Sequence, residues 1–162
     1  MNRVLMILTS HRLDCLQLCV DLLFETQSIR RFDRVVWLMN GVVGRHRAYI
    51  DETIRRHPGI PWDTVSGPRG RGALISNLEN ECVKRHPDSL YFKIDEDTFV
   101  CEGWVERLAA AYEAHRHDPR LSLITPVIAN NSAGACFLMQ AFPELGQAYD
   151  RLFHQPRTPY VN

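Results

Sequence analysis

The sequence lacks an excess of charge, a long apolar segment and a paired cysteine motif. Its 19 basic and 19 acidic residues cancel, so we do not expect nucleic acid or another polyanion as a partner. No stretch approaches roughly 18 apolar residues, so no transmembrane helix is expected, and the N-terminal "RVLMILTS" has no signal-peptide cleavage site. The five cysteines include no C-x-x-C pair, which is typical of a reducing compartment. We therefore expect a cytoplasmic protein, of undetermined oligomeric state.

The 162 residues, 45% of them hydrophobic, are enough for one domain with a substantial core. Short continuous apolar runs are typical of strands that are buried on both faces of a parallel sheet. Four runs meet this description and a fifth is weaker. They predict strands at Val4–Leu8, Val35–Met39, Leu90–Ile94 and Leu121–Ile124, and a weaker strand at Trp62–Val65.

Apolar residues at helical spacing predict amphipathic helices between these strands. They fall near residues 13–24, 43–56, 72–86 and 105–112, with 43–56 the weakest pattern. Strands that alternate with helices predict a three-layer α/β sandwich with a mainly parallel sheet. We expect a single domain over residues 1–162, in which residues 129–162 form a partial segment or tail that the pattern does not assign.

Three acids follow one of the predicted strands, in the stretch "YFKIDEDTFV". Ligands of open α/β sheets bind beyond the carboxyl ends of strands, where these acids lie. On an extended chain Asp95 and Asp97 point to one side and Glu96 to the other. A divalent ion such as Mg²⁺ or Mn²⁺, completed by substrate phosphates, would relieve the repulsion between Asp95 and Asp97. The spacing predicts a metal site there; the alternative is a solvated acidic turn before the next helix.

A second informative stretch is "SGPRGRGALISN", residues 66–77. Its three glycines permit unusual backbone conformations, Arg69 and Arg71 add positive charge, and a helix that begins near Ala73 favours anions at its N-terminus. These features predict a diphosphate clamp. The glycine spacing matches neither a Walker loop nor the dinucleotide fingerprint. A flexible solvated loop is the structural alternative.

The order of these features resembles that of the GT-A fold glycosyltransferases, particularly the large inverting group. The similarity covers about residues 3–128. The matching features, in chain order, are Thr9, Ser10 and His11 after the first strand, the phrase "LLFETQSI", Asn40-Gly41 after the second strand, Gly72 and Asn77, the Asp-x-Asp motif at Asp95 and Asp97, and Trp104 early in the next helix.

The resemblance implies a metal-dependent glycosyltransferase that uses a nucleotide-diphosphate sugar donor, an unknown acceptor, and Mn²⁺ or Mg²⁺. Asp97, and with it Asp95, would ligate the metal. The resemblance also implies a nucleotide-sugar site. In that site Asp95 and Glu96 would reach the ribose, the sugar or metal-bound water, and Thr9, His11 and Asn40 would line the base pocket. Arg69 and Arg71 would neutralise the diphosphate, and Asn77 would contribute from its helix.

The chain departs from that family in two respects. Asn40-Gly41-Val42 stands where Asp-Gly-Ser is frequent, and only residues 98–162 follow the Asp-x-Asp motif. The catalytic base is therefore unknown, with Glu144 and Asp150 as weak candidates. Two other functions stay open: a non-catalytic nucleotide-sugar-binding module and a metal-dependent nucleotidyltransferase. A haloacid dehalogenase-type phosphatase is disfavoured, because Phe99 occupies the position of its motif threonine.

Some conspicuous residues are assigned to packing. Cys15 and Cys19, one helical turn apart, are read as small buried hydrophobic residues. Trp37 and Trp62 are assigned to the core or its rim. Lys93, inside an apolar strand, is expected to reach solvent at a sheet edge or to pair with a nearby acid.

Overall fold

The structure, a computed structural model, describes residues 1–126. The tail at 129–162 and the candidate bases Glu144 and Asp150 lie outside the described residues. Contacts divide the chain into two compact units, Met1–Arg107 and Leu108–Asn162. The elements in chain order are β1 (Asn2–Thr9), α1 (Leu13–Glu25), a short 3₁₀ helix (Ser28–Arg31), β2 (Arg34–Asn40), α2 (Gly44–Arg56), β3 (Trp62–Gly67), α3 (Ala73–Arg85), β4 (Ser89–Asp95) and α4 (Trp104–His115).

The four strands form one parallel sheet in the order β3-β2-β1-β4. The chain moves outward from β1 to β2 and β3, and then returns across the sheet to β4 on the other side of β1. The strand order therefore reverses between β1 and β4. In open α/β sheets, the crevice beyond the carboxyl ends of such a pair is where ligands bind.

The core of the first unit lies on both faces of the sheet, and this confirms the predicted α/β class. On one face, Met6 belongs to a buried cluster with Leu78 and Cys82 of α3. Leu5 and Ile7 are fully buried and point to the opposite face, because side chains alternate along a strand. Right-handed crossovers from β1 to β2 and from β2 to β3 place α1 and α2 on that opposite face.

Aromatic side chains also pack on the face of the sheet that carries Leu5 and Ile7. Trp37 is fully buried and stacks on Trp62, with ring centroids 5.6 Å apart. Phe92 meets Phe32 edge to face at 5.2 Å and Trp104 at 5.9 Å. The prediction that Trp37 and Trp62 serve packing is therefore confirmed.

One predicted strand is wrong. Residues 121–126 have irregular structure, although Leu121–Ile124 is an apolar run. A strand exists only when a neighbouring strand takes its backbone hydrogen bonds. Within the described residues no strand pairs with this run, and Leu123 is 70% exposed. The weak predictions near residues 43–56 and 62–65 are confirmed by α2 and β3.

The helices of residues 1–126 include none that is long and apolar enough to cross a lipid bilayer. Cys15, Cys19, Cys82 and Cys101 are all free thiols. Cys19 is fully buried, as its assignment to packing expected, whereas Cys15 is only partly buried.

Candidate functional site

The carboxyl edge of the sheet carries most of the residues that the sequence singled out. It has two parts. The acidic half comprises the ends of β1 and β4, residues 9–12 and 95–98, together with residue 46 of α2. The basic half comprises the ends of β2 and β3, residues 40–41 and 67–72.

The acids lie in a turn and not on an extended chain, yet Asp95 and Asp97 are exposed and Glu96 between them is buried, which is the pattern that the predicted alternation requires. β4 ends at Asp95, and the Thr98 N–H donates to the Asp95 carbonyl at 3.0 Å. The Thr98 hydroxyl accepts from the Asp95 N–H at 3.2 Å. The chain therefore reverses at Glu96 and Asp97, and each acid has different neighbours.

Asp95 lies on the α3 face of the sheet. Its carboxylate accepts a hydrogen bond from Lys93 Nζ at 2.7 Å, and Lys93 is also 3.8 Å from Glu79 of α3. Lys93 therefore pairs with nearby acids, as one of its two sequence interpretations expected. Because Lys93 and Asp95 are exposed and Glu79 is half-buried, the ion pairs contribute little to stability, and Asp95 can exchange this partner for a ligand.

Asp97 is exposed and lies close to α1. Burial raises the pKa of Cys19 to about 12, and the negative charge of Asp97 adds to that shift. Burial also raises the pKa of Cys15, and the charges of Asp14 and Asp97 add to that shift. Asp97 therefore lies on the exposed side of the turn, and Asp95 is paired with Lys93.

The two exposed carboxylates fit a hard divalent ion that takes most of its ligands from elsewhere. Across residues 1–126, no group of three or more His, Cys, Asp or Glu side chains has the geometry of a metal site. Mg²⁺ commonly uses one or two carboxylates and completes its shell with water and substrate phosphates. Asp95 and Asp97 suit that kind of site and not a cage built wholly from protein.

Glu96 points into the protein, and only 6% of the residue is exposed. Its Oε2 accepts from the Thr9 hydroxyl at 2.7 Å and from the Ser10 N–H at 3.0 Å. Its Oε1 accepts from the N–H groups of His11 and Arg12 at 3.2 and 3.1 Å, and from the Ser10 hydroxyl at 3.3 Å. These donors occupy both carboxylate oxygens.

His46 of α2 completes this network. Its Nε2 lies 2.6 Å from the Thr9 hydroxyl oxygen and 3.6 Å from Glu96 Oε2. Since the Thr9 proton goes to Glu96, His46 Nε2 must donate, which defines the Nε2–H tautomer. Burial lowers the pKa of His46, although the nearby charge of Glu96 opposes the shift. His46 is therefore a neutral donor near pH 7.

Burial alone would raise the pKa of Glu96. The hydrogen bonds that it accepts from Ser10, Thr9, His11 and Arg12 outweigh burial, so the pKa lies below its usual value. Hydrogen bonds to the charged form of a carboxyl favour ionisation. The residue is thus a buried carboxylate that is stabilised by the chain itself.

His11 is the outward-facing residue of this loop. Its side chain is 57% exposed, and its Nδ1 lies 2.6 Å from the Ser10 hydroxyl. Thr9, in contrast, is 1% exposed and bonded within the network. Of the two residues assigned to a base pocket from this loop, only His11 reaches solvent.

In the basic half, the side chain of Asn40 holds residues 67–72, the arginine loop, in place by hydrogen bonds. Its Nδ2 donates to the Gly70 carbonyl at 2.9 Å, and its Oδ1 accepts from the Gly70 N–H at 2.8 Å. The side-chain amide thus pairs with Gly70 as a neighbouring strand would. Asn40 is 5% exposed, so its amide faces the loop and not an open base pocket.

Gly41 lets the two segments approach. Its φ is +69°, and a Cβ built there would overlap the Cβ of Arg69 and lie 2.7 Å from its Cα. The Gly41 N–H donates to the Gly67 carbonyl at 2.9 Å. Any side chain at this position would displace the arginine loop.

Arg69 and Arg71 are exposed, and no carboxylate of residues 1–126 lies within ion-pair distance of either. Two residues after Arg71, α3 begins without a side-chain cap; its Leu74 N–H donates to the Arg71 carbonyl at 3.3 Å, which leaves the Ala73 and Ile75 N–H groups for a ligand. Asn77 is exposed on the same helix. Two positive side chains and free amides are what a phosphate group requires.

Sequence reasoning missed His46 and the inward direction of Glu96. His46 lies in the weakest helical pattern, and nothing in that pattern distinguishes it from a surface histidine. Its partner Thr9 is 37 residues away and Glu96 is 87 residues from Thr9, so only the folded sheet brings the three together.

Comparison with known proteins adds no family assignment: no protein-family model matches the chain, and no curated protein is similar enough in sequence to count as a relative.

Proposed function

We propose that this chain binds a nucleotide-diphosphate sugar with a divalent metal ion and is the donor-binding part of a glycosyltransferase. The observation that carries this proposal is the reversal of strand order between β1 and β4, at which the exposed acids Asp95 and Asp97 follow β4. The exposed Arg69 and Arg71 belong to the same edge of the sheet. A site with acids for a metal and arginines for phosphate suits a charged diphosphate better than a neutral ligand.

Asp97 would hold Mn²⁺ or Mg²⁺, and Asp95 would join it by exchanging its bond with Lys93. When bound, the ion supplies Lewis-acid stabilisation of the negative charge on a departing diphosphate. The chain's own task is to present two carboxylates without a buried ligand cage. With this arrangement, binding of the metal ion depends on the diphosphate, and binding of the diphosphate depends on the metal ion.

Arg69, Arg71 and the open amides of α3 would contact the phosphates. Charge-assisted hydrogen bonds from arginine to phosphate are short and directional. Asn40 would not contact the ligand, because Gly70 occupies its amide. Its task would be to position Arg69 and Arg71 through the loop. His11 stays the candidate for the nucleoside, and Asn77 stays a candidate on α3.

A binding module without transfer is the second candidate, favoured by the network around Glu96. Thr9, Glu96 and His46 are engaged with one another, so among the described residues these three are not available as the base. Transfer requires a base within hydrogen-bond reach of an acceptor hydroxyl. We therefore expect donor binding to be easier to detect than transfer to any acceptor, with slow hydrolysis of the donor as the accompanying reaction.

Calorimetric titration with UDP-, GDP- and dTDP-sugars, each with and without Mn²⁺, tests the proposal. We expect one nucleotide to bind with Mn²⁺ and to bind far more weakly without it. Absence of binding by every donor at millimolar concentration would contradict the proposal. Product analysis with the bound donor then separates the candidates: acceptor glycosylation indicates a transferase, no turnover beyond slow hydrolysis indicates a binding module, and consumption of a sugar phosphate indicates a nucleotidyltransferase.

A further inference from the structure

We propose that Glu96 is a positioning residue that holds the β1–α1 loop, residues 10–12, against the acid-bearing turn, and that it does not touch the ligand itself. The family resemblance implied that Glu96 contacts the ribose, the sugar or metal-bound water. Its burial and its hydrogen bonds indicate the different role. The ligand readout below rests on the proposed function, whereas the backbone readout does not.

The first support is the number of consecutive backbone groups that one side chain holds. The N–H groups of Ser10, His11 and Arg12 all donate to Glu96, at 3.0 to 3.2 Å. These three groups follow the end of β1 and precede α1, where neither strand nor helix supplies an acceptor. Without Glu96, the loop would have no internal partner for three neighbouring donors.

The second support is that Glu96 is itself anchored at both ends. Its own N–H donates to the Leu8 carbonyl of β1 at 2.9 Å. Its side chain accepts a hydrogen bond from the Thr9 hydroxyl, which in turn accepts one from His46 of α2. The residue therefore connects β4, the β1–α1 loop and α2, and it fixes the separation between His11 and the two exposed acids on either side of itself.

The third support is chemical: only a carboxylate satisfies all of the donors. A glutamine at position 96 would replace one oxygen with an NH₂ group. In one orientation that group would face the Ser10 N–H; in the other it would face the N–H groups of His11 and Arg12. At least one backbone donor would lose its acceptor in either orientation, although the side chain keeps its size.

Within residues 1–126, few charged or titratable groups surround the Glu96 carboxylate. His11 Nδ1 lies 3.7 Å from Oε1 and His46 Nε2 lies 3.6 Å from Oε2. Asp95 and Asp97 flank it in sequence. Neither histidine forms a close charged pair with it, so neutral backbone and hydroxyl donors provide most of the stabilisation of this carboxylate.

The test compares Glu96→Gln with Glu25→Gln, a matched control on an exposed glutamate at the end of α1. Backbone amide exchange is measured for residues 10–12 and for β2. We expect exchange at residues 10–12 to rise about tenfold or more in Glu96→Gln, with β2 and the control at parent rates, since loss of a buried acceptor is a local effect. Parent rates at residues 10–12, or an equal rise in β2, would overturn the proposal.

The ligand readout is binding of UDP, GDP or dTDP with Mn²⁺. We expect Glu96→Gln to bind the selected nucleotide about tenfold more weakly, while Glu25→Gln binds as the parent does. Unchanged affinity with raised exchange would overturn the role in positioning a ligand site. If the parent binds no nucleotide, the proposed function fails, and the exchange result still decides whether Glu96 holds the loop.

Glu96→Asp provides the second variant, in case Glu96→Gln does not fold. It keeps the charge but withdraws the carboxylate by one methylene, so we expect an intermediate rise in exchange at residues 10–12. A Glu96→Asp variant with parent rates at these amides would overturn the proposal, because a retained distant charge cannot replace hydrogen bonds that depend on reach.

Discussion

The two halves of the carboxyl edge solve the same structural problem with different chemistry. In each half a buried polar side chain at a strand end holds the backbone of a neighbouring loop. Glu96 does so with a negative charge and at least four donors, whereas Asn40 does so with a neutral amide and two hydrogen bonds to Gly70. The exposed residues beside each clamp, Asp97 in one half and Arg69 in the other, are thereby left available for a ligand.

This difference has a physical consequence. The hydrogen bonds of Asn40 do not depend on protonation, so the basic half should keep its geometry over a wide pH range. Glu96 and His46 both titrate, so the acidic half should loosen in acid. Three predictions test this contrast through stability, and two address binding of the ligand.

The largest expected effect is the loss of Gly41. Gly41→Ala should lower the free energy of unfolding by about 2–5 kcal/mol, from left-handed backbone strain and overlap with Arg69. Gly44→Ala is the matched control, because its φ is +57° and nothing lies within 4 Å of an added Cβ. The control should lose only about 1–2 kcal/mol. Chemical denaturation measures both, and equal losses would show that the close approach to Arg69 does not matter.

The arginines give the next effect, in binding and not in stability. Arg69→Ala or Arg71→Ala should weaken a nucleoside diphosphate by roughly 1.5–3 kcal/mol and leave the free nucleoside unaffected. Arg30, exposed on the 3₁₀ helix before β2, lies at the amino end of that strand, and Arg30→Ala should change neither. Calorimetry compares the ligands. Equal losses for nucleoside and diphosphate would indicate a general folding effect.

Asn40→Asp should make the neutral clamp depend on pH. The protonated carboxyl can donate to the Gly70 carbonyl, whereas the carboxylate would repel it, so the folded-state pKa should lie above the usual value. Stability should therefore be highest in acid and fall by about 1–3 kcal/mol as pH rises from the usual carboxyl pKa through the raised folded-state pKa. Asn77→Asp, on an exposed residue, should show no such fall. An Asn40→Asp variant whose stability does not change with pH would contradict the role of Asn40 in holding Gly70.

The smallest effect is the acid response of the parent protein. Burial lowers the pKa of His46 below 6.5, so its contribution to stability is present above pH 6.5 and declines as pH falls. The pKa of Glu96 is lowered, because its hydrogen bonds outweigh burial, and its contribution is lost as pH falls below 4.5 through the folded pKa. His46→Gln keeps a donor to Thr9 and should remove the decline that begins near pH 6.5. If His46→Gln retains the full decline, the assignment is wrong.

The fold was largely predictable because buried parallel strands are continuous apolar runs with helices between them. β1, β2 and β4 were recognised from such runs. The error at Leu121–Ile124 shows the limit of this signal: an apolar run reports a preference for burial, but a strand also needs a partner for its backbone. A single run does not reveal whether that partner exists.

The candidate site was predictable in position but only partly in direction. Strand ends were correctly expected to carry Thr9, Asn40 and Asp95, because parallel strands share one carboxyl edge. Whether such a residue points outward depends on loops that are distant in sequence. Glu96 turns inward because donors 84 to 87 residues away need an acceptor, and Asn40 turns to a loop 30 residues away. Local periodicity contains no information about either partner.

The measurement that tests the central proposal most directly is Mn²⁺-dependent binding of a nucleoside diphosphate to the parent, Asp97→Asn and Asp21→Asn. Asp21 is an exposed acid of α1. Its substitution therefore also removes one negative charge, but at a position outside the turn that carries Asp95 and Asp97. We predict that Asp97→Asn keeps its fold and loses the Mn²⁺-dependent part of binding, while Asp21→Asn binds as the parent does. An Asp97→Asn variant that binds the nucleotide and Mn²⁺ as tightly as the parent would contradict the proposed metal site.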